Sequence, residues 1–287
     1  MAGFPKITVY SSKASQWASV AHLTLAEKGY KPEEYDVEEI DLVGGENFNP
    51  EFLKIQPNGT IPALTSSELD KPLIESVDIL AYLDKLRPDS RSLFPEDAAQ
   101  RKKVDSLIAV VHQDQMSTNL ILLGARDKTE LDERKRGIWR QFVNNRQEKL
   151  EKYGAADPEN PFYAPKTKEN GQLHEVYNTE VGPAHERFFQ DNHKGYKALS
   201  QGLQKLNSLL VLPYAAGEAV TAADFHIVPW LAHALWGAGG NFIDDFEPLE
   251  KLINKSDPEF KFGEVTKRWW RNISATPAFQ QVFPELH

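Results

Sequence analysis

Ser15 stands two residues ahead of Trp17, where an apolar-periodic stretch from Gln16 to Lys28 begins. A hydroxyl in that place, backed by the positive end of a helix, can stabilise an anion, and it can equally serve as a plain N-cap. Tyr10, Ser11 and Ser12 lie just upstream as competing hydroxyls, although Tyr10 also fits the core face of a strand. Farther on, Glu75-Ser76 opens a second helical stretch with an acid followed by a capping hydroxyl. His112, Gln115 and Asn119 recur at three and four residues opposite Leu107, Ile108 and Val111, which makes a polar stripe along one helix from Asp105 to Leu123. Such a stripe lines a cleft or simply faces solvent. Trp17, Trp230 and Trp236 are candidate apolar walls, with burial in the core as the alternative. His185 and His193 have no accompanying carboxylate set, so no metal is assigned, and Gly237-Ala238-Gly239-Gly240 lacks the preceding strand of a phosphate loop. The chain has no cysteine, which excludes disulfides, thiolate metal sites and a nucleophilic sulfur supplied by the protein itself.

The elements that must position these residues change character near residue 90. Ile7 to Tyr10 reads as a strand, Gln16 to Lys28 as a helix stopped by Gly29, and Tyr35 to Leu42 as a second strand. Asn49-Pro50 looks like an N-cap with proline at the first helical position, and Gln56-Pro57-Asn58-Gly59-Thr60 is a strong turn before a strand at Ile61 to Leu64. A short hairpin returns through Leu73-Ile74, and Ser76 opens a helix with Ile79, Leu80, Leu83 and Leu86 on its inner face. The order βαβ-α-ββα predicts a mixed four-strand sheet with helices over it. Beyond Arg87-Pro88-Asp89-Ser90 the period is helical over Ala98–Leu123, Glu130–Tyr153, Ala184–Leu210, Thr221–Trp236 and Phe262–Ser274. Residues 154–183 carry Pro158, Pro161, Pro165, Gly171 and Gly182, and predict a long loop or lid inserted in the helical part. Thr221 and Asp224 form a Thr-x-x-Asp capping box with a structural role. The expected domains are therefore 1–88 and 95–287.

Composition narrows the partners. Thirty-three Lys and Arg against 42 Asp and Glu give a net charge of −9, which disfavours nucleic acid and anionic membrane surfaces. No apolar run approaches the roughly 18 residues of a spanning helix, and the N-terminal stretch lacks a signal peptide's pattern, so a cytoplasmic location is expected.

Several short motifs in this order resemble the cytosolic glutathione S-transferase family. Val9-Tyr10-Ser11-Ser12-Lys13-Ala14-Ser15 with Leu25-Ala26-Glu27-Lys28-Gly29 is similar to the start of serine-type members such as the phi class. Asn49 to Lys54 followed by Asn58-Gly59-Thr60-Ile61-Pro62-Ala63-Leu64 resembles the family's stretch before a cis-proline, and Ile74-Glu75-Ser76 its glutamate-serine pair. Thr221 to Asp224 and the tail from Trp269 to Phe279 resemble its helical-domain cap and last helix. The resemblance implies a thioredoxin-like α/β N-terminal domain that binds glutathione, followed by an all-α domain that binds a hydrophobic electrophile. The enlargement at 154–183 has counterparts in some fungal members.

On that resemblance Ser15 stabilises the glutathione thiolate, whose thiol, near pKa 8.5 when free, is otherwise mostly protonated at neutral pH. Glu75 meets the γ-glutamyl ammonium, while Ser76 and the amides behind it meet the carboxylate. Ile61, before a cis Pro62, pairs its backbone with the cysteinyl residue, and Lys54 takes the glycyl carboxylate unless it is only a solvated helix-end lysine. Trp17, His112, Gln115 and Asn119 are the candidate electrophile contacts. Glutathione is a co-substrate, no cofactor is held covalently, and a homodimer serving detoxification is implied. Two alternatives stand beside conjugation: a non-catalytic binding or regulatory module of the same fold, and peroxide reduction or aryl-ether cleavage at the same thiolate site.

Overall fold

The computed structural model describes residues 5–13 and 15–287; residues 1–4 and Ala14 of the entrance motif lie outside the described residues. β1 (Ile7–Ser11) buries every second residue. It leads into α1 (Ala18–Glu27), after which Gly29 at φ +66° stops the helix in a left-handed conformation that suits glycine. β2 (Tyr35–Glu39) runs parallel to β1, with Ser11 opposite Glu39. α2 (Pro50–Leu53) starts where expected, because Asn49 Oδ1 accepts the Glu51 amide hydrogen and Pro50 needs no donor there. β3 (Ala63–Ser66) returns antiparallel to β1, and α3 (Ser76–Lys85) closes the unit. Ile7, Val9, Ala21, Leu25, Leu64, Ile79 and Leu83 form its core, each fully buried side chain contributing roughly 1.5–3 kcal/mol.

The sheet is mixed, in the order β2-β1-β3, but it has three strands rather than four. The fourth lane is reduced to one bridge, Leu64 to Leu73, because only Ile74 separates Leu73 from the turn into α3.

The rest is helical: α4 (Ala98–Val111), α5 (Asn119–Leu123), α6 (Lys128–Arg136), α7 (Ile138–Ala156), α8 (Tyr163–Asn178), α9 (Pro183–Leu209), α10 (Ala222–Gly237), α11 (Glu247–Asn254), α12 (Glu264–Ser274) and α13 (Pro277–Val282). None of the helices is long and apolar enough to cross a membrane, among the described residues. The expected helix over Ala98–Leu123 breaks after Val111, and Asp114–Met116 forms a 3₁₀ turn whose Met116 carbonyl accepts from Trp230 Nε1 at 2.6 Å. Likewise the expected Glu130–Tyr153 helix is divided at Gly137, which is extended and opens α7.

Residues 154–183 are not a loop. They complete α7 and form α8, and Pro165 lies in the first turn of α8, where a missing N–H costs nothing. The α7–α8 hairpin docks on the N-terminal domain. Asn145 Nδ2 donates to Val43 O at 3.0 Å and the Tyr163 hydroxyl donates to Phe48 O at 2.9 Å. Phe162 covers Gly59, whose φ of +59° and closeness to that ring both exclude a side chain.

Where the two parts meet, Lys28 Nζ is buried against Asp84 Oδ1 at 2.7 Å and donates to Arg91 O at 3.0 Å. Asp84 also accepts from Ser92 Oγ and the Leu93 amide, and Leu93 O accepts from the Ala222 amide.

Candidate functional site

Ser15 follows β1 and precedes α1 by three residues, so it is not the N-cap, which is Trp17. It is 9 % exposed. Its hydroxyl donates to Ile61 O at 3.2 Å and lies 3.4 Å from the Ala18 amide at the head of α1, where the helix end favours negative charge. The Ile61–Pro62 bond is cis. Ser15 and Ile61, 46 residues apart in the chain, are thus brought together. Tyr10 packs instead among Phe52, Ile61 and Ala18, and Ser11 Oγ is 2.8 Å from His22 Nε2.

Gln56 ties this loop to the third group. Wholly buried, it donates from Nε2 to Ile74 O at 3.0 Å and to Pro62 O at 3.4 Å, and so fixes the approach to Glu75-Ser76 beside the cis-proline. Ser76 is buried at the start of α3, and Glu75 is exposed just before it. Among the described residues the Ser76 hydroxyl makes no hydrogen bond, and it stands beside the first amides of a ten-residue helix, an end that favours negative charge. Lys54 is exposed at the end of α2, as the alternative of a solvated helix-end lysine has it, and its Nζ is 2.7 Å from both carboxylate oxygens of Glu51.

The helical part holds the Ser15 loop from both sides. Gln16 Oε1 accepts from Thr118 Oγ1 at 3.0 Å and lies 3.2 Å from His233 Nδ1. The Trp17 ring stacks on His112 at 4.0 Å and 15°, and His112 Nε2 is 3.0 Å from Nδ1 of fully buried His226. Burial lowers the pKa of His112; burial and then the His112 charge lower His226 further, and burial brings His233 down to about 4. All three rings are therefore neutral at pH 7. One of the His112–His226 pair donates to the other, and His226 Nε2 is buried without a partner among the described residues.

Trp17, two residues after Ser15, thus meets His112, whereas the polar stripe dissolves. His112 caps α4, Gln115 sits exposed on the 3₁₀ turn bonded to Gln113, and Asn119 opens α5, so the three do not share a helix face. The sequence reading passed over Gln16, Gln56, Thr118, His226 and His233. Only Gln56 carried a local signal, its place at the head of the 56–60 turn. A cavity of about 470 Å³ between α7 and α8, lined by Leu150, Gly154, Tyr163 and Thr167, includes none of the residues around Ser15.

A family pattern described as glutathione S-transferase, N-terminal domain, matches residues 9–91. Glutathione S-transferase Z2 of Arabidopsis thaliana is 32% identical over 283 residues, which is 98% of this chain and 92% of that protein. The chain belongs to the glutathione S-transferase family. Probable maleylacetoacetate isomerase 2 of Drosophila melanogaster is 35% identical over 111 residues, 37% of this chain; the match spans 45% of that relative's length, under half of it. Among solved structures, the beta-etherase LigF from Sphingobium sp. strain SYK-6 superposes with a TM-score of 0.63 at 18% identity, over 97% of this chain and 98% of that one, a likeness of fold. Sheet, cis-proline loop and helical C-terminal region all accord with membership of this transferase family.

Proposed function

We propose that the chain is a serine-type glutathione transferase in which Ser15 stabilises the glutathione thiolate for attack on a hydrophobic electrophile. The observation that carries this reading is the Ser15 Oγ to Ile61 O hydrogen bond of 3.2 Å. The Ile61 carbonyl is the acceptor that a cysteinyl N–H would use on pairing as an added strand. When the tripeptide takes that acceptor, the Ser15 hydroxyl is released toward the sulfur, and the Ala18 amide adds a second dipole. The thiol proton leaves to solvent, a carbon–sulfur bond forms, and the electrophile loses its leaving group or gains a proton. No basic residue is needed, which suits a loop whose nearby histidines are held neutral.

Glu75 and Ser76 hold the γ-glutamyl end in this reading, while Trp17 and His112 wall the electrophile side, leaving one stacked aromatic surface beside the sulfur. A cytoplasmic homodimer goes with it. A second reading, favoured by the relative named a maleylacetoacetate isomerase, is reversible addition: the thiolate adds to an activated double bond, the bond rotates, and the thiolate leaves. Titrating the ultraviolet band of bound glutathione thiolate tests Ser15. The bound pKa should lie below that of free glutathione and return toward it in Ser15→Ala, with the conjugation rate falling by about 100- to 1,000-fold. A wild-type pKa equal to the free value removes the role of Ser15. Assays with aryl halides, hydroperoxides, aryl ethers and cis-alkene diacids separate the transferase from the other glutathione chemistries.

A further inference from the structure

Along one edge of the sheet, four chain segments end side by side. β1 and β2 are parallel with Ser11 opposite Glu39, β3 begins antiparallel with Ala63 opposite Tyr10, and Leu73 bridges Leu64 on the outer side. Across that edge the lanes are therefore the segment after β2, Ser12 and Ser15 after β1, Ile61–Pro62, and Glu75–Ser76. Strands lie about 4.8 Å apart, so the outer lanes are separated by roughly 14 Å. An extended tripeptide spans about 3.3–3.6 Å per residue, somewhat more through a γ-linkage. With its amino end at Glu75–Ser76 and its cysteinyl at Ile61, glutathione directs its glycyl carboxylate over residues 40–48.

That segment has no cation of its own. Its charged residues are Asp41 and Glu46, whose carboxylates accept from the loop's own amides, and Lys54 lies out in solvent beside Glu51. What covers the segment is α7. Besides Asn145 on Val43, the Lys149 stem lies against Gly45, and the Arg146 guanidinium sits 4.5 Å from the centroid of Phe48 and 4.9 Å from that of Phe142. Among the described residues Arg146 has no hydrogen bond and no ion pair. The one charge acting on it is Glu169, itself paired with Lys166 at 2.8 Å. Burial lowers the Arg146 pKa to about 10, so it remains a cation at neutral pH. A guanidinium steadied by two rings, with its N–H groups unclaimed, is a fork pre-set for a planar anion.

We propose that Arg146 binds the glycyl carboxylate of glutathione, so that the α7–α8 hairpin forms one wall of the tripeptide site. This rests on the reading of residues 9–91 as the glutathione site. The cation thereby comes from α7, in the second part of the chain, rather than from the α2 region.

The test compares glutathione with its glycyl ethyl ester on the full chain and on Arg146→Gln. The wild type should bind the acid about 10- to 100-fold more tightly than the ester, the range of a charge-assisted hydrogen bond. R146Q should bind both alike, at the wild-type ester affinity. Full discrimination retained in R146Q overturns the proposal and leaves the glutathione reading intact, whereas a wild type that binds neither compound overturns both. Should R146Q fail to fold, the ¹⁵N resonance of the Arg146 side chain in unaltered protein, assigned with R146K, decides. It should move on adding glutathione and stay put with the ester, and equal movement with both overturns the assignment.

Discussion

The Tyr163 hydroxyl donates to the Phe48 carbonyl oxygen across 2.9 Å, a bond between residues 115 positions apart that fastens the helical hairpin to the loop following β2. Phe48 and Tyr163 are both buried, so nothing in solvent replaces either partner.

Tyr163→Phe should cost about 1–3 kcal/mol by stranding the Phe48 carbonyl. If the hairpin walls the tripeptide site, glutathione affinity should fall with little change in the turnover of the saturated enzyme. Thermal melts and a KM-against-kcat comparison check both parts, and a variant that loses kcat alone contradicts the arrangement.

Ser76→Ala removes the hydroxyl at the head of α3, proposed to meet the γ-glutamyl carboxylate, while leaving the helix amides in place. Glutathione binding should weaken by about threefold to tenfold, and the thiolate pKa of the bound peptide should not move. Equilibrium titration followed by the ultraviolet pH profile measures the two separately; a shifted pKa with intact affinity would assign Ser76 to the sulfur instead.

Asp224 and Thr221 should show no such effect on ligand. The Asp224 carboxylate is fully buried and accepts from the Thr221 amide and hydroxyl, the Ala215 amide and Trp269 Nε1. Thr221→Ala should cost about 0.5–2 kcal/mol. Asp224→Ala should cost more, since it leaves the Ala215 and Trp269 donors buried and unpaired at about 1–3 kcal/mol each. Denaturant midpoints rank the two; an inverted ranking, or lost affinity in folded protein, sinks the structural assignment.

Acid should destabilise the fold before carboxylates titrate. Burial depresses the pKa of His22, His112, His226 and His233 from 6.5, that of His233 to about 4. As the pH falls below 6.5 the unfolded chain takes up protons that the folded chain refuses. Stability is thus full above 6.5 and declines through the window toward 4. Melting temperatures measured at half-unit steps between pH 7.5 and 4.5 should hold level down to about 6.5 and fall below it, and a profile flat below 6.5 would contradict the lowered histidine pKa values.

Local chemistry made much of the front half legible. Alternation from Ile7, the Gly29 stop, the Asn49-Pro50 start and the 56–60 turn each carry their signal within a few residues, and the structure realises each there. The Thr221–Asp224 box was readable for the same reason. α8 was not, because Pro158, Pro161, Pro165 and Gly171 read as breakers. The physical distinction is position: Pro165 falls in a first turn, and Gly171 lies mid-helix where α8 comes close to Gln147 of α7. The division at Gly137 was hidden because the helical period runs through it. In the candidate site, Ser15 and Ser76 announced themselves as helix-head hydroxyls. Arg146 and His226 did not, since their significance comes from Phe48 and His112, 98 and 114 positions away, and no spacing rule links them.

The clasp around Lys28 bears on how divisible the chain is. Asp84 draws two of its donors, Ser92 Oγ and the Leu93 amide, from the connecting stretch, and Lys28 takes the Arg91 carbonyl from the same stretch. A front fragment cut at residue 88 would keep a buried ammonium and carboxylate but lose their escorts, and the exposed seam would include the site Leu93 fills in the helical core. The front half is therefore not a portable cassette; grafted elsewhere, it must carry its connector along.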